Sequence, residues 1–310
     1  MSQNIESKLN KIPFVKWVLH LLKSIQLPGL EGLSLYDLFE MYILGIIHGA
    51  LTIRASAVAF SFFMAIFPFL LFIIILIPYI PVDSFKTDFL NFLEASLPPN
   101  TSEFFNQNIF ENINKNRSGG LLSSVFVVSM LLMANGVNAV FSAFENSYHQ
   151  QLNRNFVNQY LHAFGVSIIL VLILIATIAG FGFLEIYLVH PIYQRLNIEN
   201  PTTELELLLS IKFLFLILMI YLGIAVLYFF GTKKGKQSRF FSLGALLTTL
   251  LVILNSFLFG VYIENFSSYN QLYGSIGALL ILLFYLWLNA IILLLGFELN
   301  ASLQRLKDRC

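Results

Sequence analysis

Charged residues are scarce in this chain of 310 residues: they make up 11% of it, whereas hydrophobic residues make up 57%. A soluble domain of this length carries about a quarter charged residues, so the composition excludes an ordinary soluble protein. Cysteine is nearly absent as well. The single cysteine, Cys310, is the last residue, which excludes an internal disulfide and a thiol-rich metal site. The net charge of +1 provides no field that would attract nucleic acid, so no nucleic-acid partner is expected.

The compact motifs of hydrolytic and nucleotide-binding enzymes are also missing. The five histidines are scattered, without the HxH or HExxH spacing that places two ligands on one metal ion. Neither a GxSxG nucleophile elbow nor a GxxxxGKS phosphate loop occurs. The run GTKKGK at 231–236 lacks the phosphate-loop spacing and is interpreted as a basic anchor for anionic lipid. We therefore expect no enzyme, no bound metal and no cofactor.

Long apolar runs are what the sequence has in abundance. A helix needs about 20 residues to cross the hydrocarbon core of a bilayer, and six runs are long enough. The fold class predicted is therefore all-α, a polytopic membrane bundle of six transmembrane helices. The predicted spans are Ala55–Ile80, Leu121–Phe144, His162–Val189, Leu207–Phe230, Phe240–Tyr262 and Leu272–Leu299. Pro68 removes a backbone hydrogen bond in the middle of the first span and predicts a kink there.

The distribution of basic residues predicts the orientation of these spans. Thirteen lysines and arginines lie on the side of the two termini and four on the opposite side. The thirteen are Lys8, Lys11, Lys16, Lys23, Arg54, Arg154, Lys233, Lys234, Lys236, Arg239, Arg305, Lys307 and Arg309. Because basic residues concentrate in cytoplasmic segments, both termini are predicted to lie in the cytoplasm.

Two regions flank the predicted membrane domain of residues 54–304, and one long loop lies within it. In the N-terminal region 1–53, apolar residues recur on one face of Leu35–Ile53, which predicts an amphipathic helix in the membrane interface. A seventh spanning helix is the alternative there, although its charged residues make insertion costly. The loop 81–120 is predicted to form two short amphipathic helices that act as a lid on the outer face, and residues 305–310 form a cytoplasmic tail.

Small and polar side chains recur at helical spacing inside the spans, where burying a polar group costs free energy. These faces comprise Arg54, Ala57, Ser61, Ala65 and Pro68; Asn135, Asn138, Ser142 and Glu145; Gly244, Thr248 and Asn255; and Gly274, Ala278, Tyr285 and Asn289. Two interpretations compete. The faces either hold the helices together through close packing and hydrogen bonds, or they line a water-accessible cavity or a path for a polar headgroup. Both interpretations predict that the faces point inward, away from lipid.

Charges near the helix ends suggest specific partners. Arg54, at the start of the first span, is expected to meet Glu298 at the end of the sixth or Glu145 at the end of the second, because either contact would satisfy groups that are otherwise desolvated alone. On the other side, Glu185 and Lys212 lie at one predicted interface. For Lys212, extension to the lipid headgroups is the alternative.

Two segments resemble a known family. LTIRASAVAFSFFMAIFPFLL at 51–71 resembles the first-span signature of the YihY/virulence factor BrkB family, and YNQLYGSIGALLILLFYLWLNAIILLLGFELNAS at 269–302 resembles its last-span signature. The second span matches less well. The positions that match the family motifs are Arg54, Ser56, Pro68, Tyr273, Gly274, Trp287, Gly296, Glu298 and Asn300. The resemblance implies a protein of the bacterial inner membrane. Members have been labelled ribonucleases, a label that the missing metal-binding cluster in this sequence argues against.

The family's associations with the cell envelope favour a transporter or exporter of a lipid-like or amphiphilic envelope molecule, in which Arg54 meets an anionic headgroup. Candidates for the polar path are Arg54, Ser56, Ser61, Asn135, Asn138, Glu145, Asn255, Tyr285, Asn289 and Glu298. Candidates for an architectural role are Pro68, Tyr273, Gly274, Trp287, Gly296 and Asn300. The expected partners are membrane lipids, and proteins of envelope assembly are a further option. One alternative is a scaffold that transports nothing, and another is a membrane-embedded enzyme.

Overall fold

The computed structural model describes residues 50–76, 119–147, 150–151, 156–184, 201–231, 240–265 and 275–307, and the single residues 34, 36, 40 and 43. Most of the N-terminal region and the whole of the loop 81–120 lie outside these residues. The predicted amphipathic helix and the predicted lid are therefore not tested, although Tyr36, Glu40 and Ile43 are helical.

Six long helices make up nearly all of the part of the chain that the structure describes. They are α1 (Leu51–Leu76), α2 (Gly119–Glu145), α3 (Phe156–Phe183), α4 (Pro201–Gly231), α5 (Leu243–Asn265) and α6 (Ser275–Lys307). After α2, two-residue strands β1 (Asn146–Ser147) and β2 (Gln150–Gln151) pair in antiparallel fashion and turn the chain back toward α3. The predicted all-α membrane bundle is confirmed as the fold class.

Several helices are longer than the apolar runs that predicted them. The fourth begins at Pro201 rather than Leu207, since proline suits the first position of a helix, where its missing N–H costs nothing. The sixth continues to Lys307, eight residues beyond the predicted Leu299. Hydropathy marks only the part of a helix that lies in hydrocarbon, whereas backbone hydrogen bonds continue the helix beyond it.

Length and composition make five of the described helices, α2 to α6, candidates for membrane spans. In α1, the described apolar stretch Leu51–Phe67 is shorter than the length that this criterion requires. The whole of α1 has 26 residues, a length of about 39 Å, which is enough to cross a bilayer. The count of six spans stays a prediction. The helix also runs through Pro68, and the kink predicted there remains untested.

The helices form a closed ring. Each one packs against its neighbours in the sequence, α6 also packs against α1, and α2 touches α4 and α6 across the ring. We call the end where α1, α3 and α5 begin and α2, α4 and α6 end the near end, and the opposite one the far end. At the near end, the carbonyl of Ala50, whose φ is 46°, accepts the first hydrogen bond of α1 from the N–H of Arg54 at 3.2 Å.

Buried side chains concentrate in the near half of the ring. Phe141, Phe144, Leu294 and Glu298 are the largest fully buried side chains among the described residues. The ring of Phe144 stacks on that of Phe297 at 4.1 Å between centroids and meets Tyr228 edge-on at 5.6 Å. These large side chains fill the near half of the bundle from three different helices, α2, α4 and α6.

Candidate functional site

A buried ion pair joins three helices at the near end. Arg54 of α1 donates from Nη2 to Oε1 of Glu298 on α6 at 2.7 Å, and from Nη1 to the carbonyl of Ala143 on α2, also at 2.7 Å. The arginine side chain is 8% exposed and that of Glu298 is fully buried. A charge removed from water this completely needs an opposite charge and further hydrogen bonds, and Arg54 obtains both.

The choice between the two carboxylates predicted for Arg54 is thereby decided. Its hydrogen bonds in the described structure go to Glu298 and to the main chain of Ala143, two residues before Glu145. Glu145 is buried at the same end of the bundle. The guanidinium therefore already holds two partners in this conformation, while its Nε is buried without a hydrogen-bond partner among the described residues.

A hydrogen-bonded tyrosine, which the sequence analysis did not single out, lies beside the ion pair. The hydroxyl of Tyr228 on α4 donates to the carbonyl of Leu293 on α6 at 2.6 Å and lies 2.6 Å from Oγ1 of Thr248 on α5. Since a phenol has only one hydrogen to donate, the threonine donates to the tyrosine. The sequence did contain one sign of this contact, a tyrosine within the apolar run of α4, because the hydroxyl of a buried tyrosine needs a hydrogen-bond partner.

Helices α5 and α6 cross in very close contact at two glycines, and Asn300 fixes that crossing. A Cβ placed on Gly296 would lie 2.6 Å from the Tyr228 hydroxyl and 2.7 Å from the carbonyl oxygen of Gly244. Asn300 accepts from the N–H of Gly244 at 2.8 Å and donates to Oγ of Ser242 at 2.8 Å. Ser242 caps α5 by accepting from the N–H of Ala245 at 3.2 Å. Gly296 and Asn300, predicted as architectural, thus hold two helices together.

A second polar group lies on the same pair of helices toward the far end. Tyr285 and Ser256 hydrogen-bond through their hydroxyls at 2.8 Å, and Nδ2 of Asn289 donates to the carbonyl of Tyr285 at 2.8 Å. We call Asn255, Ser256, Tyr285 and Asn289 the polar seam. Nδ2 of Asn255 and Oδ1 of Asn289 are buried without a hydrogen-bond partner within the described residues.

The register of α5 and α6 places these two amides close in depth. Gly244 packs on Gly296 and Ser256 bonds to Tyr285, so the helices run antiparallel. Asn255 and Asn289 then lie within about one helical turn of the same level. One amide lacks an acceptor and the other lacks a donor, so the seam has unused capacity for water or for a polar ligand.

The ring is less tightly filled at the far end. On α6, Leu280, Phe284, Leu294 and Glu298 share one face by their spacing, yet Leu294 is fully buried whereas Phe284 is 45% exposed. The face of α4 that holds the fully buried Ala225 also holds Leu218 and Leu214, which are 48% and 68% exposed. Within the described part of the chain, the helix faces that are closed at the near end are therefore more exposed at the far end.

Between α1 and α6, Trp287 lies over Ser56. Its indole N–H donates to Oγ of Ser56 at 3.1 Å, and the serine hydroxyl donates in turn to the carbonyl of Thr52 at 2.9 Å. Ser56 is exposed at the edge of the bundle, while Ser61 is half-buried. The contact gives Trp287, predicted as architectural, a role in joining the first and last helices.

The predicted inward direction of the polar face on α2 is wrong for Asn135, although Glu145 on the same predicted face is buried. Val137, Val140, Phe141 and Phe144, spaced by three, one and three, are almost fully buried and define the core side of this helix. Asn135 is exposed, and Asn138 and Ser142 are half-buried on the other side. Close packing of large apolar side chains determines which side of α2 faces the core. The helical spacing of the polar residues shows only that they share one side, and does not show which way that side points.

Two further details concern the same prediction. Ser142 accepts a hydrogen bond from Nε2 of Gln159 on α3 at 2.9 Å, which ties this side of α2 to its neighbour. Oδ1 of Asn138 is buried with no hydrogen-bond partner among the described residues. On α1, Ala57 is exposed rather than inward, although Arg54 and Ala65 on its predicted face are buried.

Some predicted residues cannot be placed. Tyr273, Gly274 and Glu185 lie outside the described residues, as do the basic residues at 233–239, and the pairing of Glu185 with Lys212 is therefore untested. In the described part of the chain, no three His, Cys, Asp or Glu side chains come together as a group that could hold a metal ion.

Known proteins resemble this chain along most of its length. The model of the family described as Virulence factor BrkB matches residues 48–309. The putative ribonuclease-like protein YfkH of Bacillus subtilis is 29% identical over 262 residues, which are 82% of this chain and 90% of that protein. UPF0761 membrane proteins of Mannheimia succiniciproducens and Tolumonas auensis are 24% and 27% identical over 86% and 83% of this chain, and over 89% and 82% of their own. No solved structure matches the chain.

Proposed function

Because this chain belongs to the virulence factor BrkB family of membrane proteins, we propose that it transports a lipid-like or amphiphilic molecule of the cell envelope. The observation that carries the proposal is the difference between the two halves of the ring. The near half is closed by an ion pair and stacked aromatic rings, whereas the same faces of α4 and α6 are exposed in the far half. A bundle closed at one end and open at the other is the arrangement that a transporter adopts in one of its two access states.

The chemistry of the far half favours an amphiphile over a small ion. The exposed side chains on the opened faces, such as Phe284 and Leu218, are apolar and suit an acyl chain. The polar seam lies between α5 and α6 toward the same end and provides hydroxyl and amide groups with unused hydrogen-bonding capacity. An amphiphile would place its hydrocarbon on the first surface and its polar group on the second.

Arg54 takes a different part in this proposal from the one expected from the sequence. With Glu298 and Ala143 as its partners, it closes the near end and does not bind a headgroup there. We further propose that the protein lies in the inner membrane with both termini in the cytoplasm, in which case the far end faces outward.

Accessibility of single cysteines tests whether the far half is open to water. Replacing Cys310 with serine removes the native thiol, and cysteine is then introduced at Phe284 or at Leu218. A membrane-impermeant maleimide should label both positions in intact vesicles. The matched control is Leu172→Cys, which is 58% exposed on the side of α3 opposite the buried Ala163 and should stay unlabelled because it faces lipid.

Flux measurements test the transport itself. The purified protein in liposomes that carry a fluorescent phospholipid should move it between leaflets faster than protein-free liposomes do. Leu280→Trp, which fills the opened face of α6, should slow this movement, whereas Leu172→Trp on the lipid side should leave it unchanged. Equal rates with and without protein, combined with an unlabelled Phe284→Cys, would contradict the proposal and favour the scaffold.

We also propose that the chain is not a ribonuclease, although one relative is named ribonuclease-like. The reason is the sequence, in which five dispersed histidines lack the spacing of a metal-hydrolase motif. Incubation of the purified protein with RNA and divalent metal ions should leave the RNA intact. An RNA-cleaving activity that co-purifies with the wild-type protein, and that a single substitution in the protein abolishes, would overturn this proposal.

A further inference from the structure

Asn135 carries an amide in the middle of a helix that qualifies as a membrane span. It is exposed, and it makes no hydrogen bond with the described part of the chain. It lies ten residues before the end of α2 at Glu145, about 15 Å along the helix axis, within a stretch that qualifies as a membrane span. An amide exposed to hydrocarbon costs several kcal/mol if its hydrogen bonds are left unmade, so a partner beyond the described residues is expected.

The residues around Asn135 form a continuous strip on the outer side of α2. We call this strip the α2 seam, which is distinct from the polar seam between α5 and α6. Ser124, Val128, Leu131 and Asn135 are all exposed and are separated by four, three and four residues. This alternation is the spacing of helices that pack side by side at a small crossing angle. The seam lies on the side of α2 opposite the buried Val137 and Phe144. Helix α3 contacts it at Leu131, whose carbonyl accepts a hydrogen bond from the Tyr160 hydroxyl at 2.8 Å.

From these observations we propose that this seam is the interface between two copies of the chain, with Asn135 of each copy hydrogen-bonded to Asn135 of the other. Two copies of one protein have the same orientation in the membrane, so their Asn135 side chains lie at the same depth. A carboxamide carries both a donor and an acceptor. A twofold axis along the membrane normal therefore brings together two groups that satisfy each other reciprocally.

The alternatives for Asn135 fit less well. Water is scarce on the lipid side at that depth, and lipid headgroups lie near the ends of the helix rather than its middle. A different protein would need a polar group of its own at the same level, whereas a second copy supplies one by symmetry. The inference does not depend on transport, because it concerns the side of α2 away from the ring.

Association measured in lipid tests the dimer directly. Chains labelled with donor and acceptor fluorophores are reconstituted into vesicles and diluted with lipid, and energy transfer gives the dissociation constant. Asn135→Leu should weaken association about tenfold, as expected for one to two kcal/mol of interhelical hydrogen bonding in membranes. Asn135→Gln, which retains the amide, should remain close to wild type. A wild-type chain that stays monomeric, or an Asn135→Leu chain that associates equally well, would overturn the proposal.

Crosslinking gives an independent readout that does not depend on how well the Asn135 variants fold. In a background with Cys310→Ser, Leu131→Cys should form a covalent dimer on mild oxidation, because its seam position faces its counterpart. Leu172→Cys, exposed to a similar degree on α3, is the matched control and should stay monomeric. If the two variants crosslink equally, collision rather than a defined interface explains the result, and the seam is not the contact.

Discussion

Arg54 shows how a single charged residue is kept in an apolar bundle. Its guanidinium makes one bond to a carboxylate and one to a main-chain carbonyl, and both acceptors lie on other helices. Lysine could replace the charge but not the two divergent donors, since an ammonium is a compact point charge. The pair with Glu298 therefore fixes how α1, α2 and α6 meet, and loss of either partner leaves a buried charge uncompensated.

A double-mutant cycle tests this coupling. Arg54→Met and Glu298→Gln should each lower the free energy of unfolding by about 3–5 kcal/mol, since each leaves one buried group without its partner. The double variant should lose less than the sum of the two, because it leaves no unpaired charge. Thermal unfolding in detergent provides the comparison. Strictly additive losses would show that the two side chains do not stabilise each other.

At the scale of the helix, the near end depends on how closely α5 and α6 approach. The two glycines at their crossing leave room for the Tyr228 hydroxyl, which in turn bonds α4 to both helices. Helices in membranes associate through such close contacts rather than through the hydrophobic effect, because lipid is as apolar as the helix surface. The crossing also brings Asn300 within reach of the first turn of α5.

One pair of glycine substitutions separates packing from helix propensity. Gly296→Ala places a methyl group 2.6 Å from the Tyr228 hydroxyl and should lower the free energy of unfolding by about 1–3 kcal/mol through overpacking. Gly260→Ala, on α5, meets no atom within 4 Å and should be neutral or stabilising by up to about 1 kcal/mol, because alanine favours the helix. Thermal unfolding of both variants checks the difference. Equal effects would mean that the crossing tolerates a Cβ.

At the scale of the whole molecule, six described helices close into one ring through the contact of α6 with α1. The match to the BrkB family over residues 48–309 confirms the resemblance that two short segments of the sequence had suggested. The orientation of this ring in the membrane still rests on the excess of basic residues on the side of the termini.

Labelling from the two sides of the membrane tests that orientation. In the Cys310→Ser background, Ser238→Cys in the basic loop should react with an impermeant maleimide only in inverted vesicles. Ser267→Cys, in the loop after α5, should react only in intact cells, because an odd number of spans separates any two consecutive loops. Reaction of Ser238→Cys from outside intact cells would place the termini outside and reverse the roles of the two ends.

The sequence carried different amounts of information about different residues of the site. The partner of Arg54 could be predicted from sequence as Glu298 or Glu145, because isolated charges in apolar spans at equal depth have few other partners. The direction of Asn135 could not, because helical spacing groups residues on one face but does not say whether that face meets a helix or lipid. The contacts of Tyr228 also depend on which helices are neighbours, and hydropathy does not report this.

The amino-acid sequence by itself determined that the chain is a bundle of apolar helices, because backbone groups in hydrocarbon must be satisfied within each segment and this needs only local hydrogen bonds. It also determined the residues that are too polar to face lipid without a partner. The tertiary structure alone decided the rest: Glu298 rather than Glu145 as the partner of Arg54, an outward direction for Asn135, and, among the described residues, a closed near end with more exposed helix faces at the far end. Those outcomes follow from how large side chains of three helices fill one space, which is a property of the assembled ring and of no single helix.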